Sequence, residues 1–224
     1  MNVPDDVLFP TMQKDLFTAV VGDVMDQMGF LHQFLPPYIQ PLHGDMVLVG
    51  RAMTVQHRDL GQEMSVNQQD TFGLMLQALD DLKPGEVYIA TGASPTYALI
   101  GEHMSTRAKR LGCVGAVIDG YARDTRGILN IGFPVFCRGR YAQDQRPRGR
   151  VVDFRTPITI GGVNVTPGDI IFADIDGVLA IPQSIEQEVF RRAMERVQRE
   201  HDVHNALDAK GISATEAMAQ FGIL

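Results

Sequence analysis

The sequence predicts an α/β fold built on a mixed sheet, closed by a helical arm at its C-terminal end. Three features predict it. A strand, helix, strand pattern occurs twice in succession, a glycine-centred hairpin leads into further β-structure, and the last stretch is helical but too charged to be buried on every side. With 224 residues and 45% hydrophobic content, the chain is long enough for one sizeable core. A single domain over 1–224 is expected, with the arm beginning near residue 184.

The first element is read from "KDLFTAVVGDVMDQMG", residues 14–29, where Leu16, Val20, Val24 and Met28 recur at helical spacing and Gly29 supplies a stop. After a proline-bearing loop, "MVLVGRAMTVQH" (46–57) has the alternation and β-branched residues of a strand. A helix in "QDTFGLMLQALDDL" (69–82) then leads through the turn "KPGE" to the strand "VYIA". The alternation repeats: "GEHMSTRAKRLG" reads as helix, and "CVGAVID" (113–119) is a nearly continuous apolar run suited to a buried parallel strand, followed by the tight turn Gly120-Tyr121. "FPVFC" is another short strand. From Arg150 the pattern is β: "PITIGGVNVTPGD" is a hairpin about Gly161-Gly162, and "IIFADIDGVLAIP" continues the sheet. A helix from about Ser184 to Ala209 carries an apolar stripe of Phe190, Ala193, Met194 and Val197 among many charges, and "SATEAMAQFG" forms a last short helix.

Charge and composition limit the partners. A formal net charge of −7 and a pI near 5.3 argue against nucleic acid and anionic membranes, which need a basic face. The start "MNVPDDVLFP" has no signal-peptide pattern, and no run of about 18 apolar residues occurs. A cytoplasmic protein with a small-molecule or protein partner is expected. Cys113 and Cys137 stand in apolar contexts without a Cys-x-x-Cys pair, and read as reduced, buried thiols.

The stretch "YALIGEHMSTRAKRLGCVGAVIDGYARDT", residues 97–125, sets ionisable groups in apolar surroundings. Glu102 at a helix start fits dipole compensation as well as function. Arg123 and Asp124 follow an apolar strand, where ligands of α/β proteins collect. A carboxylate there can hold a hard divalent cation while the guanidinium grips a substrate carboxylate or a developing enolate. A surface ion pair or a helix cap at "RDT" would use the same residues.

That stretch resembles the signature of the RraA-like family, which includes class II pyruvate aldolases such as 4-hydroxy-4-methyl-2-oxoglutarate aldolase. The shared pattern is an acidic residue, twenty intervening residues, then Arg-Asp, here Glu102 and Arg123-Asp124. "LKPGEVYIATG", "FPVFCRGR", "GGVNVTPGDIIFADIDGVLAIP" and "GISATEAMAQFGIL" resemble family segments in the same order, over most of the chain. The resemblance implies a swivelling β/β/α sandwich and a lyase acting on 2-oxo acids. The reactions implied are retro-aldol cleavage of a 4-hydroxy-2-oxo acid, oxaloacetate decarboxylation, or both, through a metal-bound pyruvate enolate. It implies Asp124 as ligand of Mg²⁺ or Mn²⁺ and Arg123 on the pyruvyl group. Gly101 and the backbone N–H groups of His103 and Met104 would receive the substrate carboxylate, with Glu102 in the outer shell of the metal. It further implies a homotrimer or homohexamer whose site is completed by a neighbour's C-terminal helix, with Glu200 as the matching residue and Glu195 as the other candidate. The aldolases usually carry aspartate at the position of Glu102 and an apolar residue at that of His103. Some relatives instead bind and inhibit an RNA-degrading enzyme, a non-catalytic role that an acidic surface also suits.

Other motifs read as structure. His201 and His204 fit a solvated helix face, Asp174 and Asp176 fit a turn between strands, and "GASPTYALIG" is a substrate-lining loop at most.

Overall fold

The computed structural model describes residues 3–61, 72–209 and 211–222. Along the chain run α1 (Asp5–Asp15), α2 (Thr18–Gln27), β1 (Gln40–Pro41), β2 (Leu48–Asp59), α3 (Met75–Asp80), β3 (Glu86–Thr91), β4 (Ala98–Ile100) and α4 (Glu102–Arg110). They are followed by β5 (Gly115–Ala122), α5 (Thr125–Asn130), β6 (Val135–Arg140), β7 (Gly149–Phe154), β8 (Ile158–Ile160), β9 (Val163–Val165), β10 (Ile170–Asp174), β11 (Gly177–Ile181), α6 (Glu186–Asp208) and α7 (Ala214–Phe221). These elements form two compact units, one of residues up to Leu31 together with those from Ile185 onward, the other His32–Ser184.

The first unit is helical. Both α1 and α2 pack on α6, which also meets α7. The helix expected at 14–29 begins at Thr18 instead: Leu16 and Phe17 are extended, with ψ near 160°, so Lys14 and Asp15 end a separate helix. That α1 escapes a sequence reading follows from Pro10 in its interior, which normally stops a helix. On α6, Val189, Ala193 and Val197 are buried together with Arg196, whose guanidinium bonds Asp23 and, at 2.9 Å, Glu200. His201 and His204 are exposed, as their spacing among charges suggested. Ser213 and Glu216 form a reciprocal cap at the start of α7.

The second unit is a mixed sheet of nine strands in the order β1-β6-β5-β3-β2-β10-β11, with β4 added to β5 and β7 to β2. Pairings among β2, β3, β4, β5 and β6 are parallel, and the remainder antiparallel. Alternate residues of the buried strands face opposite ways. Tyr88, Ala116 and Ile118 join the side chains of α3, α4 and α5 on one face, while Val87, Ile89 and Val117 meet the β8–β9 hairpin on the other. The layering is therefore β/β/α. Gly161 and Gly162 turn the hairpin with φ of 56° and 90°, which side chains rarely tolerate.

One correction concerns β5. Gly120 and Tyr121 remain inside the strand, which runs to Ala122, and only the register with β6 shifts between Ile118 and Tyr121. Leu99 fills the space a side chain at 120 would need, 2.7 Å from that Cβ position. Of the helix expected at 69–82, α3 supplies 75–80, and residues 69–71 lie outside the described residues. Both thiols are buried: Cys113 and Cys137 donate to the carbonyls of Gly115 and Gly139 at 3.2 Å, and burial pushes the Cys113 thiol up to about 11.

Candidate functional site

Two parallel strands deliver the site. β4 pairs with the end of β5, Ala98 opposite Tyr121 and Ile100 opposite Ala122, so both chains leave the sheet at the same level. The Arg123 N–H donates to the Ile100 carbonyl at 3.0 Å and fastens the two exits together. From the first exit the chain passes through Gly101 into α4; from the second it passes through Arg123 and Asp124 into α5.

Gly101 is extended (φ −143°), a conformation open to any residue, so its lack of a side chain reflects space. A Cβ there would stand 2.6 Å from Asp124 Oδ2 and 3.3 Å from Arg123 Cγ. Asp124 occupies the left-handed region (φ 53°, ψ 34°), which an Asp tolerates better than most residues. It stands at the cap position of α5, yet its carboxylate makes no capping hydrogen bond. The cap reading of "RDT" is thereby corrected. The carboxylate instead lies 3.5 Å from Arg123 Nε, and Arg123 Nη1 lies 3.2 Å from Asp144 Oδ1.

These groups border a cavity of about 260 Å³. Gly101, His103, Met104, Arg123 and Asp124 all line it. Glu102 does not: its side chain packs against Gly127 of α5, where a Cβ would collide with the carboxylate. Glu195 and Glu200 belong to α6 in the helical unit, Glu195 bonded to Arg191 and Glu200 to Arg196. Sequence reasoning missed Asp144, Gln145 and the apolar wall of Phe72, Met75, Leu76 and Leu79. Asp144 reaches the site through an isolated bridge to Ala98, a pairing that leaves no mark in spacing.

Asp124 fits a hard cation that keeps much of its water. Its side chain is 45% exposed and turned to the cavity. Among the described residues no three His, Cys, Asp or Glu side chains converge as an all-protein cage. One or two carboxylates with retained water is how Mg²⁺ is ordinarily held. Beside it, the first turn of α4 offers backbone N–H groups with no intrahelical partner, since its first helical bond runs from Ser105 N to Gly101 O.

The family profile described as RraA-like, Aldolase/RraA, matches residues 18–180. The chain belongs to the RraA-like family. A Halalkalibacterium halodurans protein named "Putative 4-hydroxy-4-methyl-2-oxoglutarate aldolase" is 32% identical over 192 residues, covering 85% of this chain and 84% of that one. A crystal structure described as "novel cellulases from microbes associated with the gut ecosystem" is 32% identical with a TM-score of 0.82, over 90% of this chain and 89% of that one. Streptomyces coelicolor RraAS2, described as an unusual member of the RNase ES inhibitor RraA protein family, shares the fold with a TM-score of 0.78 at 23% identity, over 91% of this chain and 98% of that one. The RraA-like fold accounts for the β/β/α layers and the C-terminal helices. Among the described residues no helix is long and apolar enough to cross a membrane.

Proposed function

We propose that this RraA-like chain is a divalent-metal-dependent carbon–carbon lyase that forms pyruvate, by retro-aldol cleavage of a 4-hydroxy-2-oxo acid, by decarboxylation of oxaloacetate, or by both. The observation that carries the reading is the meeting of Gly101, Arg123 and an uncapped Asp124 at one cavity. The aldolase name of the Halalkalibacterium halodurans relative supports it.

Asp124 would hold Mg²⁺ or Mn²⁺, which when bound supplies Lewis acidity toward the 2-oxo group. The N–H groups of His103 and Met104 receive the substrate carboxylate at the positive end of α4. Arg123 donates to the 2-oxo oxygen and stabilises the charge that reaches it when the bond to C3 breaks. Its contacts to Asp124 and Asp144 fix the plane of the guanidinium and leave Nη2 for that oxygen. Glu102, half-buried beside Gly127, exchanges protons with water near Asp124. Glu200 from a neighbouring copy completes the site in a trimer or hexamer.

The test is pyruvate formation from oxaloacetate with Mg²⁺ or Mn²⁺, with EDTA, and with Asp124→Ala, because free metals decarboxylate this substrate unaided. Activity lost in both controls supports the lyase. Activity no higher than that of the variant removes the decarboxylation; if cleavage of a 4-hydroxy-2-oxo acid to pyruvate is likewise no higher than in the variant, the lyase is removed, which leaves a role as binder of an RNA-degrading enzyme, for which the net charge of −7 is the one supporting observation.

A further inference from the structure

The cavity has two unlike walls, and their difference bears on the substrate class of the lyase proposed above, on which this inference rests. One wall carries Arg123, Asp124 and Asp144. The other is apolar: Phe72, then Met75, Leu76 and Leu79 of α3, joined by Met104 of α4. Leu76 is 57% exposed, so the apolar wall continues outward to solvent.

Gln145 lines the same cavity and is only 3% exposed. Among the described residues its enclosed Oε1 has no hydrogen-bond partner, and its Nε2 reaches only the Met75 sulfur, at 3.8 Å. A buried carboxamide oxygen left without a donor is destabilising, and a bound hydroxyl can supply the missing hydrogen bond. A substrate carboxylate cannot, because it brings acceptors only.

Cations are scarce here. Among the described residues Arg123 is the one Lys or Arg that lines the cavity, and Asp124 and Asp144 already flank it. Arg146 lies outside the lining, stacked 4.6 Å from the centre of the Phe72 ring.

We infer that the site selects 4-hydroxy-2-oxo acids whose group on C4 is uncharged and apolar, aliphatic or aromatic, and discriminates against a second carboxylate, with the Gln145 carboxamide turning its Oε1 toward the cavity to accept from the C4 hydroxyl. In the cleavage that hydroxyl gives up its proton to solvent and the C3–C4 electron pair passes to C3, delocalised over the 2-oxo group. C4 leaves as an aldehyde or ketone, and C3 takes a proton to give pyruvate. No oxidant and no second substrate are needed.

The test separates this selectivity from the lyase chemistry. Deuterium exchange into the methyl group of pyruvate, followed by NMR in heavy water with Mg²⁺, reads enolate formation with nothing attached at C3. Calorimetric titration of 4-methyl-2-oxopentanoate against 2-oxoglutarate, neither of which is cleaved, reads the preference at the far end. The expected result is exchange, together with binding of the apolar acid roughly tenfold tighter or more. Leu76→Arg, at an exposed position, should narrow or reverse that ratio. Gln145→Leu should lower kcat/KM for a 4-hydroxy-2-oxo acid more than it weakens binding of 4-methyl-2-oxopentanoate. Exchange accompanied by tighter 2-oxoglutarate binding, or an unchanged ratio in Leu76→Arg, overturns the selectivity and spares the lyase. Absence of exchange removes both.

Discussion

Arg155 and Arg123 each stand between two carboxylates, and each cluster contains one of the two non-glycine residues with positive φ among the described residues, Arg155 itself at 55° and Asp124 at 53°. The Arg155 guanidinium is fully engaged. Its Nε bonds the Asp81 carboxylate, Nη1 bonds Glu86 Oε1 at 2.7 Å, and Nη2 bonds Glu86 Oε2 at 3.0 Å and the Asp81 carbonyl at 2.9 Å. The hydrogen bond from Arg155, with that from Lys83, holds the Asp81 carboxyl below the usual carboxylate range. Arg123 makes only the looser contacts at 3.2 and 3.5 Å, with one amino group to spare, and it faces a cavity. An unfavourable backbone conformation serves a closed network in the first case and an open one in the second. Charge pairing by itself therefore does not single out an arginine for function; the role proposed for Arg123 rests on unfinished pairing beside space.

Substitutions can break that contrast, beginning with the largest effect. Asp124→Asn and Asp124→Ala should each lower metal-dependent pyruvate formation by about a thousandfold or more, measured as kcat. They should differ in stability, because Ala at a left-handed position costs roughly 1 kcal/mol and Asn tolerates it, which urea unfolding of the two variants will read. Arg123→Lys keeps the charge and loses the planar fork, so kcat should fall about a hundredfold with little change in the unfolding midpoint. Arg155→Ala should do the opposite. It strands the nearly buried Glu86 carboxylate, lowering stability by about 2 kcal/mol in urea unfolding while the kinetic constants at the cavity stay close to those of the parent.

Glu200 is tested by mixing. Inactive Asp124→Ala chains and inactive Glu200→Ala chains should regain part of the activity together, and failure in proven mixed oligomers counts against Glu200 as the shared residue.

His57 sharpens the contrast from the other side, as a basic group with no carboxylate at all. Neither ring nitrogen has a hydrogen-bond partner among the described residues, and burial pulls the imidazole down to about 4. The unfolded chain binds the proton near 6.5 and the folded one only near 4, so this contribution is complete above pH 6.5 and is lost as pH falls toward 4. At pH 5.5 the loss is about 1 kcal/mol relative to neutral pH. His57→Leu should flatten that part of the stability profile, measured by unfolding at several pH values.

Much of the fold was legible because the buried strands declare themselves: "CVGAVID", "VYIA" and "IIFAD" are apolar on both faces, and the Gly161-Gly162 turn carries its own chemistry. The helix α1 was not, since Pro10 speaks against a helix that tertiary packing nevertheless supports. In the site, Arg123 and Asp124 were found because a strand end leaves them adjacent in sequence. Asp144 and Gln145 were hidden in "YAQDQRPRGR", where nothing periodic points inward, and only the bridge to Ala98 brings them to the cavity. Local chemistry is written in sequence; a loop folded back across a strand end is not.

The short strand β4 touches the sheet only through β5, and its last carbonyl accepts the amide proton of Arg123. That one proton is a reporter. Its exchange with solvent requires β4 to lift away from β5, the same opening that parts Gly101 from Asp124, so its protection factor measures how often the assembled site exists. A ligand bound at the cavity should slow that exchange in proportion to its affinity, which makes a single backbone amide a readout of occupancy that needs no turnover.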